Sequence, residues 1–455
     1  MKSIPMIIST IVLLLCHNLI ITKALRILHM NSNYEKNFIE GLPFKEEQIF
    51  IKRCNDESEN INLSSYDLTI IKDNSIKSTS IRSLSLRDNK LQDIPENMIK
   101  NLPYLNCLDL SKNEINIYKT FSMEHAFLSI LNLSSQKLPN VFDVETFDEN
   151  SIPTIQTNYK TIEFDNSNMR LKNLRYIDLS GNDISTLNKD FNMNFPNLSH
   201  LYLNNVNADI VDSSMYSKLP KSLRCLSLKD NKLSEFNFNN SITLSTLYLD
   251  SNPLQNITII SYTLKTLSLT NCTKANNIYL DAPNLDHLDI SKNNIDVLTD
   301  FVVTRSLKTF MLNFNEFTTV PQLIDFNQLI ELSLNYNKIK IIPKNVFANL
   351  LSLEKLELKG NKISYIDANT FSRLQNLKYL DLSYNKLEIL YNKWTYSLMN
   401  LKYLNINANK ISNIVDLSIH DSKLEHVFMI NNPLREITSN DINVLLPDNS
   451  TVYIT

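Results

Sequence analysis

Leu377-Lys378-Tyr379-Leu380-Asp381-Leu382-Ser383-Tyr384-Asn385-Lys386-Leu387 carries the pattern L-x-x-L-x-L-x-x-N-x-L. The alternation Leu380-x-Leu382 makes a short strand with two inward side chains and outward neighbours. So short a strand can bury its leucines only by lying beside a copy of itself. Asn385 falls where the chain turns off the strand. Its amide both donates and accepts, so it can satisfy backbone groups that the turn leaves inside. The copies exist. The fourth position of the pattern falls at Leu84, Leu108, Leu131, Ile177, Leu201, Leu226, Leu247, Leu267, Leu288, Phe310, Leu332, Leu356, Leu380, Leu404 and Val427. Successive spacings are 20 to 25 residues, with one of 46 between Leu131 and Ile177. The long gap reads as two repeats, the second degenerate, giving about 16 repeats in all. A chain that grows by stacking needs no enlarged central core, so 455 residues do not imply several globular domains.

The segments between strands must return along the opposite side. Phe347 and Leu350, and Phe371 and Leu374, are predicted to plug that side. The shorter repeats between Leu247 and Leu332 have less chain for the return, which predicts extended or single-turn segments there. Val206 replaces the turn Asn and cannot hydrogen-bond through its side chain; Cys272 replaces it too. Residues 138–173 have no unambiguous register: Ile152-x-x-Ile155 and Tyr159-x-x-Ile162-x-Phe164 compete for the strand. The second leaves too little chain before the next repeat, so the first is preferred, or a small insertion.

Residues 1–24 read as a signal peptide: Lys2, an apolar run from Ile4 to Ile21, and small residues Thr22 and Ala24 before Leu25. The remaining segments are expected to be an atypical N-terminal cap at 25–80, the repeats at 81–440 and a C-terminal cap at 441–455. Cap strands are expected near Gln48–Arg53, Asn60–Leu63 and Thr451–Ile454. Export would suit the N-glycosylation triplets at Asn62, Asn132, Asn197, Asn239, Asn256, Asn271 and Asn449. A glycan on Asn132, at an outward strand position, would mask the N-terminal part of the sheet. The chain is predicted to be secreted, with no membrane span in its mature form.

These repeats resemble the extracellular leucine-rich-repeat family, in particular Toll-type receptor ectodomains and the secreted leucine-rich immune proteins of insects. The resemblance covers roughly residues 58–440. It implies an α/β solenoid, a right-handed horseshoe with a parallel β-sheet on its concave face, where protein ligands usually bind. Family members commonly carry Cys-rich caps; here no cysteine follows Cys272. Cys107 and Cys225 occupy outward strand positions five repeats apart, roughly 24 Å, too far for a disulfide. They are expected to be exposed thiols or to pair between chains, giving a dimer. Cys272 is expected to be buried.

Only three glycines are present, Gly41, Gly181 and Gly360, which leaves no phosphate-cradling loop. A net charge of −3 with interspersed signs argues against nucleic acid. His200 and His287 share an outward position four repeats apart, roughly 19 Å, too far to share a metal ion. Asp109, Asp178, Asp289, Glu357 and Asp381 read as a solvated polar face, and no nucleophile motif occurs. The chain is therefore not expected to be an enzyme or to hold a cofactor or metal. Outward aromatics mark the ligand surface instead. Tyr379, Tyr403, His426 and Phe428 form one candidate group, with Tyr336 and Tyr384 just past their strands. His200, Tyr202 and Tyr248 form a second. The expected function is capture of a protein ligand in adhesion, recognition or immunity. The alternatives are direct recognition of microbial surface polymers and a structural role in extracellular matrix.

Overall fold

In a computed structural model, the described residues are 59–454, apart from 119–121, 138–162, 165, 185, 188, 208–216, 240–241, 273–276, 299–305, 392–393, 436–443 and 448–449. They form a parallel-strand solenoid with little helix, in two compact units that divide between Ala282 and Pro283.

In the first unit, three-residue strands stack in parallel from Asn60–Asn62 through Ser83–Ser85, Cys107–Asp109, Ile130–Asn132, Tyr176–Asp178, His200–Tyr202, Cys225–Ser227 and Thr246–Tyr248 to Thr266–Ser268. In the second, the stack runs from His287–Asp289 through Thr309–Met311, Glu331–Ser333, Lys355–Glu357, Tyr379–Asp381, Tyr403–Asn405 and His426–Phe428 to Thr451–Tyr453. All fifteen leucine-type positions read from the sequence sit at the centre of a strand. Strands also occupy two of the three stretches read as cap strands; Gln48–Arg53 lies outside the described residues.

The turn Asn forms the expected ladder. Asn361 donates through Nδ2 to the carbonyls of Leu334 (2.9 Å) and Leu358 (3.1 Å), and its Oδ1 accepts from the Ile339 amide. Asn337 and Asn385 do the same one repeat to either side. Each leucine carbonyl on this path therefore receives two donors, one from its own repeat and one from the next. That redundancy explains Val206. Leu179 and Leu203 keep the Asn182 and Asn231 amides, and the Ile184 amide turns to the Val206 carbonyl instead. Gln136, which the sequence pattern did not single out, serves as a ladder residue, bonding the Leu110 and Leu133 carbonyls.

The residue just before the ladder position adopts a left-handed conformation in repeat after repeat: Asp88 (φ 55°), Lys112 (56°), Asn205 (51°), Asp230 (54°), Phe314 (55°), Tyr336 (55°) and Tyr384 (56°), among others. The two glycines that occupy this position, Gly181 and Gly360, adopt it without the Cβ penalty.

Extended returns occur where the repeats are short. Glu235–Asn239, Asn256–Ile260 and Asn277–Asp281 form a second parallel sheet. In the longer repeats Phe347 and Phe371 are buried and stacked at 6.1 Å, with Trp394 beyond them donating to the Leu417 carbonyl.

Two expectations are corrected. The 46-residue gap contributes no degenerate repeat to the main sheet. Ile130–Asn132 pairs directly with Tyr176–Asp178, and Ser135 donates to the Ser180 carbonyl. The backbone ladder closes across the gap, so the extra chain is an insertion. Glu163–Phe164 pairs with Thr186–Leu187, away from that sheet. Ile152 and Ile155 lie outside the described residues.

Cys107 and Cys225 are not exposed; each is 1% accessible. Outward side chains one strand apart pack against each other here, and Cys107, Ile130 and Tyr176 form one apolar cluster. Cys107 is disulfide-bonded, while Cys225 and Cys272 are thiols. A dimer bridged through Cys107 or Cys225 has no exposed thiol to form it. Cys272 is fully buried, its Sγ 3.4 Å from the Leu249 carbonyl oxygen, and burial pushes its thiol up to about 12. Folded protein at pH 8 should alkylate at Cys272 far more slowly than unfolded protein, because the thiolate is the nucleophile. Equal rates would contradict its place in the ladder.

Candidate functional site

In the second unit, the outward third positions of successive strands read Glu331, Lys355, Tyr379, Tyr403 and His426, and the fifth positions Ser333, Glu357, Asp381, Asn405 and Phe428. Parallel register places each side chain beside its counterpart one strand away. The aromatic members consequently stack. Tyr379 and Tyr403 lie 6.4 Å apart between ring centroids, and Tyr403 and His426 lie 4.9 Å apart and nearly parallel. The series ends in Phe428 on Tyr453 at 4.4 Å, with Tyr453 also 6.2 Å from His426. At its other end, the Lys355 ammonium lies 5.6 Å from the Tyr379 ring.

The structure thus brings Tyr379, Tyr403, His426 and Phe428 into one half-buried column and adds Tyr453, which is buried behind it. Sequence reading placed Tyr453 on the closing strand without seeing that its register sets it beside Phe428. Burial holds the His426 imidazolium below its ordinary range, opposed by Glu425. His426 is therefore neutral at pH 7, and the column carries no charge of its own.

A polar network adjoins this column. Lys355 bonds Glu331 (2.8 Å) and pairs with Glu357 (3.0 Å). The other Glu357 oxygen accepts from Ser333 and Asn335. The aspartates read as a solvated face have a structural role. Asp109, Asp178, Asp289 and Asp381 each accept, through Oδ1, the amide two residues on, which fixes the turn off the strand. Asp381 is buried, and that burial pushes its carboxyl up to about 6. Among the described residues there is no group of three or more His, Cys, Asp or Glu that could hold a metal ion.

Tyr336 and Tyr384 belong to a different column, that of the left-handed turn residues, and both are exposed. Tyr336 stacks on Phe314 at 4.5 Å and lies over Gly360, where a Cβ would meet its ring at 2.5 Å. The ammonium of Lys292 faces Phe314, and that of Lys359 faces Tyr384. Phe314 was missed although its offset, two past Leu312, is that of Tyr336 and Tyr384 from their own leucines.

The middle group from the sequence does not form an open surface. His200 stacks on Tyr176 at 4.0 Å, but Tyr202 and Tyr248 are buried, at 5% and 2% accessible. Lys229, paired with Asp250, lies over the Tyr248 ring. Asn132 is also buried, its Oδ1 accepting from the Ser134 amide and hydroxyl, so a glycan cannot project from it across the folded sheet. Asn62, Asn197, Asn239, Asn256 and Asn271 are exposed; Asn449 lies outside the described residues.

Comparison with known proteins agrees with this architecture. Leucine-rich-repeat family models match residues 305–363, 352–411 and 173–194. Over 252 residues the chain is 25% identical to transforming growth factor beta activator LRRC33 of Danio rerio, covering 50% of this chain and 36% of the relative. Over 190 residues it is 29% identical to lumican of Rattus norvegicus, covering 34% and 49%. The matched stretches thus take in less than half of either relative. Among solved structures, the fold is similar to Toll in the Drosophila Toll–Spatzle complex (TM-score 0.57, 21% identity, covering 85% of this chain and 52% of that one). It is also similar to TLR13 in its complex with ssRNA13 (TM-score 0.56, 18% identity, 86% and 64%). No helix among the described residues is long and apolar enough to cross a membrane. Repeats, fold and matches agree on a leucine-rich-repeat solenoid, similar in fold to Toll-type ectodomains.

Proposed function

We propose that the chain is a secreted, non-enzymatic binding protein that captures a protein ligand on the outward side of its second unit, at the column Tyr379–Tyr403–His426–Phe428–Tyr453. The observation that carries this reading is the column itself: the half-buried rings of Tyr379, Tyr403, His426 and Phe428, backed by the buried Tyr453, with Lys355, Glu331 and Glu357 beside them. Stacking holds the rings before a partner arrives, so little side-chain entropy remains to be lost on binding. Amphipathic rings in such a setting dominate interface energies. The names of a relative and a neighbour fit a protein ligand, one a transforming growth factor beta activator and the other solved with Spatzle. The exposed glycosylation triplets suit secretion. The fold by itself does not rule out nucleic acid, since TLR13 was solved with ssRNA. The net charge of −3 and the uncharged column favour protein here.

The test is the double change Tyr379→Ser with Tyr403→Ser. Proteins retained from the source's extracellular fluid by the wild type should be lost, and measured affinity should weaken by about 2–4 kcal/mol. Far-UV circular dichroism and Tm should change little, because the leucines beneath are untouched. Unchanged affinity in the folded variant would place the ligand elsewhere.

A further inference from the structure

The residue that follows each ladder position forms a row of its own. Its backbone amide donates to the carbonyl of the preceding repeat: Glu316 to Ile295, Lys338 to Phe317, Lys362 to Ile339, Lys386 to Ile363 and Lys410 to Leu387, at 2.8–2.9 Å. These bonds fix the pitch at about 4.8 Å per repeat. Side chains in the row reach one another, since Lys338 forms an ion pair with Glu316. In the first unit the same row reads Asp67, Lys90, Glu114 and Lys137, alternating in sign, and Lys90 pairs with Asp67 at 2.9 Å. Alternation is the stable arrangement, because like charges directly opposite destabilise neighbouring strands.

The second unit departs from it with four consecutive lysines, Lys338, Lys362, Lys386 and Lys410, all exposed. Lys338 and Lys410 have carboxylates, Glu316 and Glu388. Among the described residues no carboxylate lies within ion-pair distance of Lys362 or Lys386. Two positions before the four lysines stand Tyr336, Gly360, Tyr384 and Ala408 of the turn-residue column, with Phe314 in the same place before Glu316. Most of its ring faces are taken: Phe314 by Lys292 and Tyr336, Tyr336 by Phe314 and Gly360, and one face of Tyr384 by Lys359.

We propose that the row Lys338–Lys362–Lys386–Lys410 binds a linear sulfated polysaccharide laid along the solenoid. A regular line of ammonium groups matches a regularly charged chain, and a partner of that charge relieves the repulsion within the row. Single-stranded nucleic acid fits less well, because it needs a series of free aromatic faces on which bases stack, and this column leaves one uncovered face, on Tyr384. This surface is distinct from the aromatic column of the second unit, so either reading can fail alone.

The experiment measures binding of the whole chain to a heparin oligosaccharide, to its desulfated counterpart and to a single-stranded RNA of similar length. The wild type should bind heparin with an affinity that falls as salt rises, and should not bind the desulfated chain. Lys362→Gln with Lys386→Gln should weaken heparin binding about tenfold and flatten the salt dependence. The control pair Lys100→Gln with Lys172→Gln should leave it unchanged. An unaltered heparin affinity in the row variant, equal binding of the desulfated chain, or tighter binding of RNA than of heparin would each overturn the proposal.

Discussion

Replacing Asn361 and Asn385 together by Val should destabilise the protein by more than the sum of the two single changes. Each amide donates to two leucine carbonyls, and they share one: Leu358 accepts Asn361 at 3.1 Å and Asn385 at 2.9 Å. A single change leaves every ladder carbonyl with one donor, and the Ile339 or Ile363 amide loses its side-chain acceptor and must turn to the backbone carbonyl of the new Val, as the Ile184 amide does at Val206. With no buried group left unsatisfied, each single change loses only the net value of its side-chain bonds and should cost about 1–2 kcal/mol, whereas an unsatisfied buried group costs about 1–3 kcal/mol. The double change adds the Leu358 carbonyl, buried with no other donor among the described residues, and the excess should be about 1–3 kcal/mol. Asn337 and Asn385 share no carbonyl. Their double variant should be additive to within about 0.5 kcal/mol. Urea titration of the five variants measures both quantities. Additive behaviour in the adjacent pair would show that the doubled donors are redundant in geometry but not in energy.

The same ladder shows how far a sequence reading reaches. The fold was legible because one constraint repeats. Leucines that cannot be buried alone, and an amide that must serve the inside of a turn, impose a period that survives the substitutions Val206 and Cys272. Register followed from that period, so the column Tyr379–Tyr403–His426–Phe428 could be named in advance. Accessibility could not. The outward side chains of one strand are covered by those of the next. Tyr202 and Tyr248 are buried, and Cys107 sits in a cluster with Ile130 and Tyr176, though all point away from the leucine core. The path across residues 138–162 was illegible for a different reason. A parallel ladder can close over an insertion of any length, because the bonds between Ser135 and Ser180 do not depend on the chain between them. The left-handed turn residues left only a faint trace, the Asp, Asn, Ser and Gly common at that offset, which Phe314 and the two tyrosines obscure.

Asp381→Asn should stabilise the folded chain at neutral pH. The carboxyl is buried beside Glu357, and desolvation pushes it up to about 6 from an ordinary 3.8, against the favourable bond from the Ser383 amide. Folded protein therefore binds this proton more tightly than unfolded protein. Between pH 3.8 and about 6 the native state keeps a proton that the unfolded state has released, so stability from this group falls as pH rises through that window. Above it the full cost of the buried charge is present, roughly 3 kcal/mol from a shift of about two pH units. Below it the cost is absent. Asn keeps the acceptor for the Ser383 amide and removes the charge. The change gives up the long contact, 3.4 Å, that Asn405 makes to the second carboxylate oxygen, and the attractions of the Ser383 hydroxyl and Lys359 for the charge. The variant should exceed the wild type by about 2 kcal/mol at pH 8, and the two should converge near pH 4. The neighbouring aromatic column should be unaffected, because Tyr379 and Tyr403 project from other positions of their strands. Thermal denaturation of both proteins from pH 4 to 8 measures the difference. A variant less stable than the wild type at pH 8 would mean that the carboxylate is held by attractions, those of Lys359 and the Ser383 hydroxyl among them, that outweigh its burial.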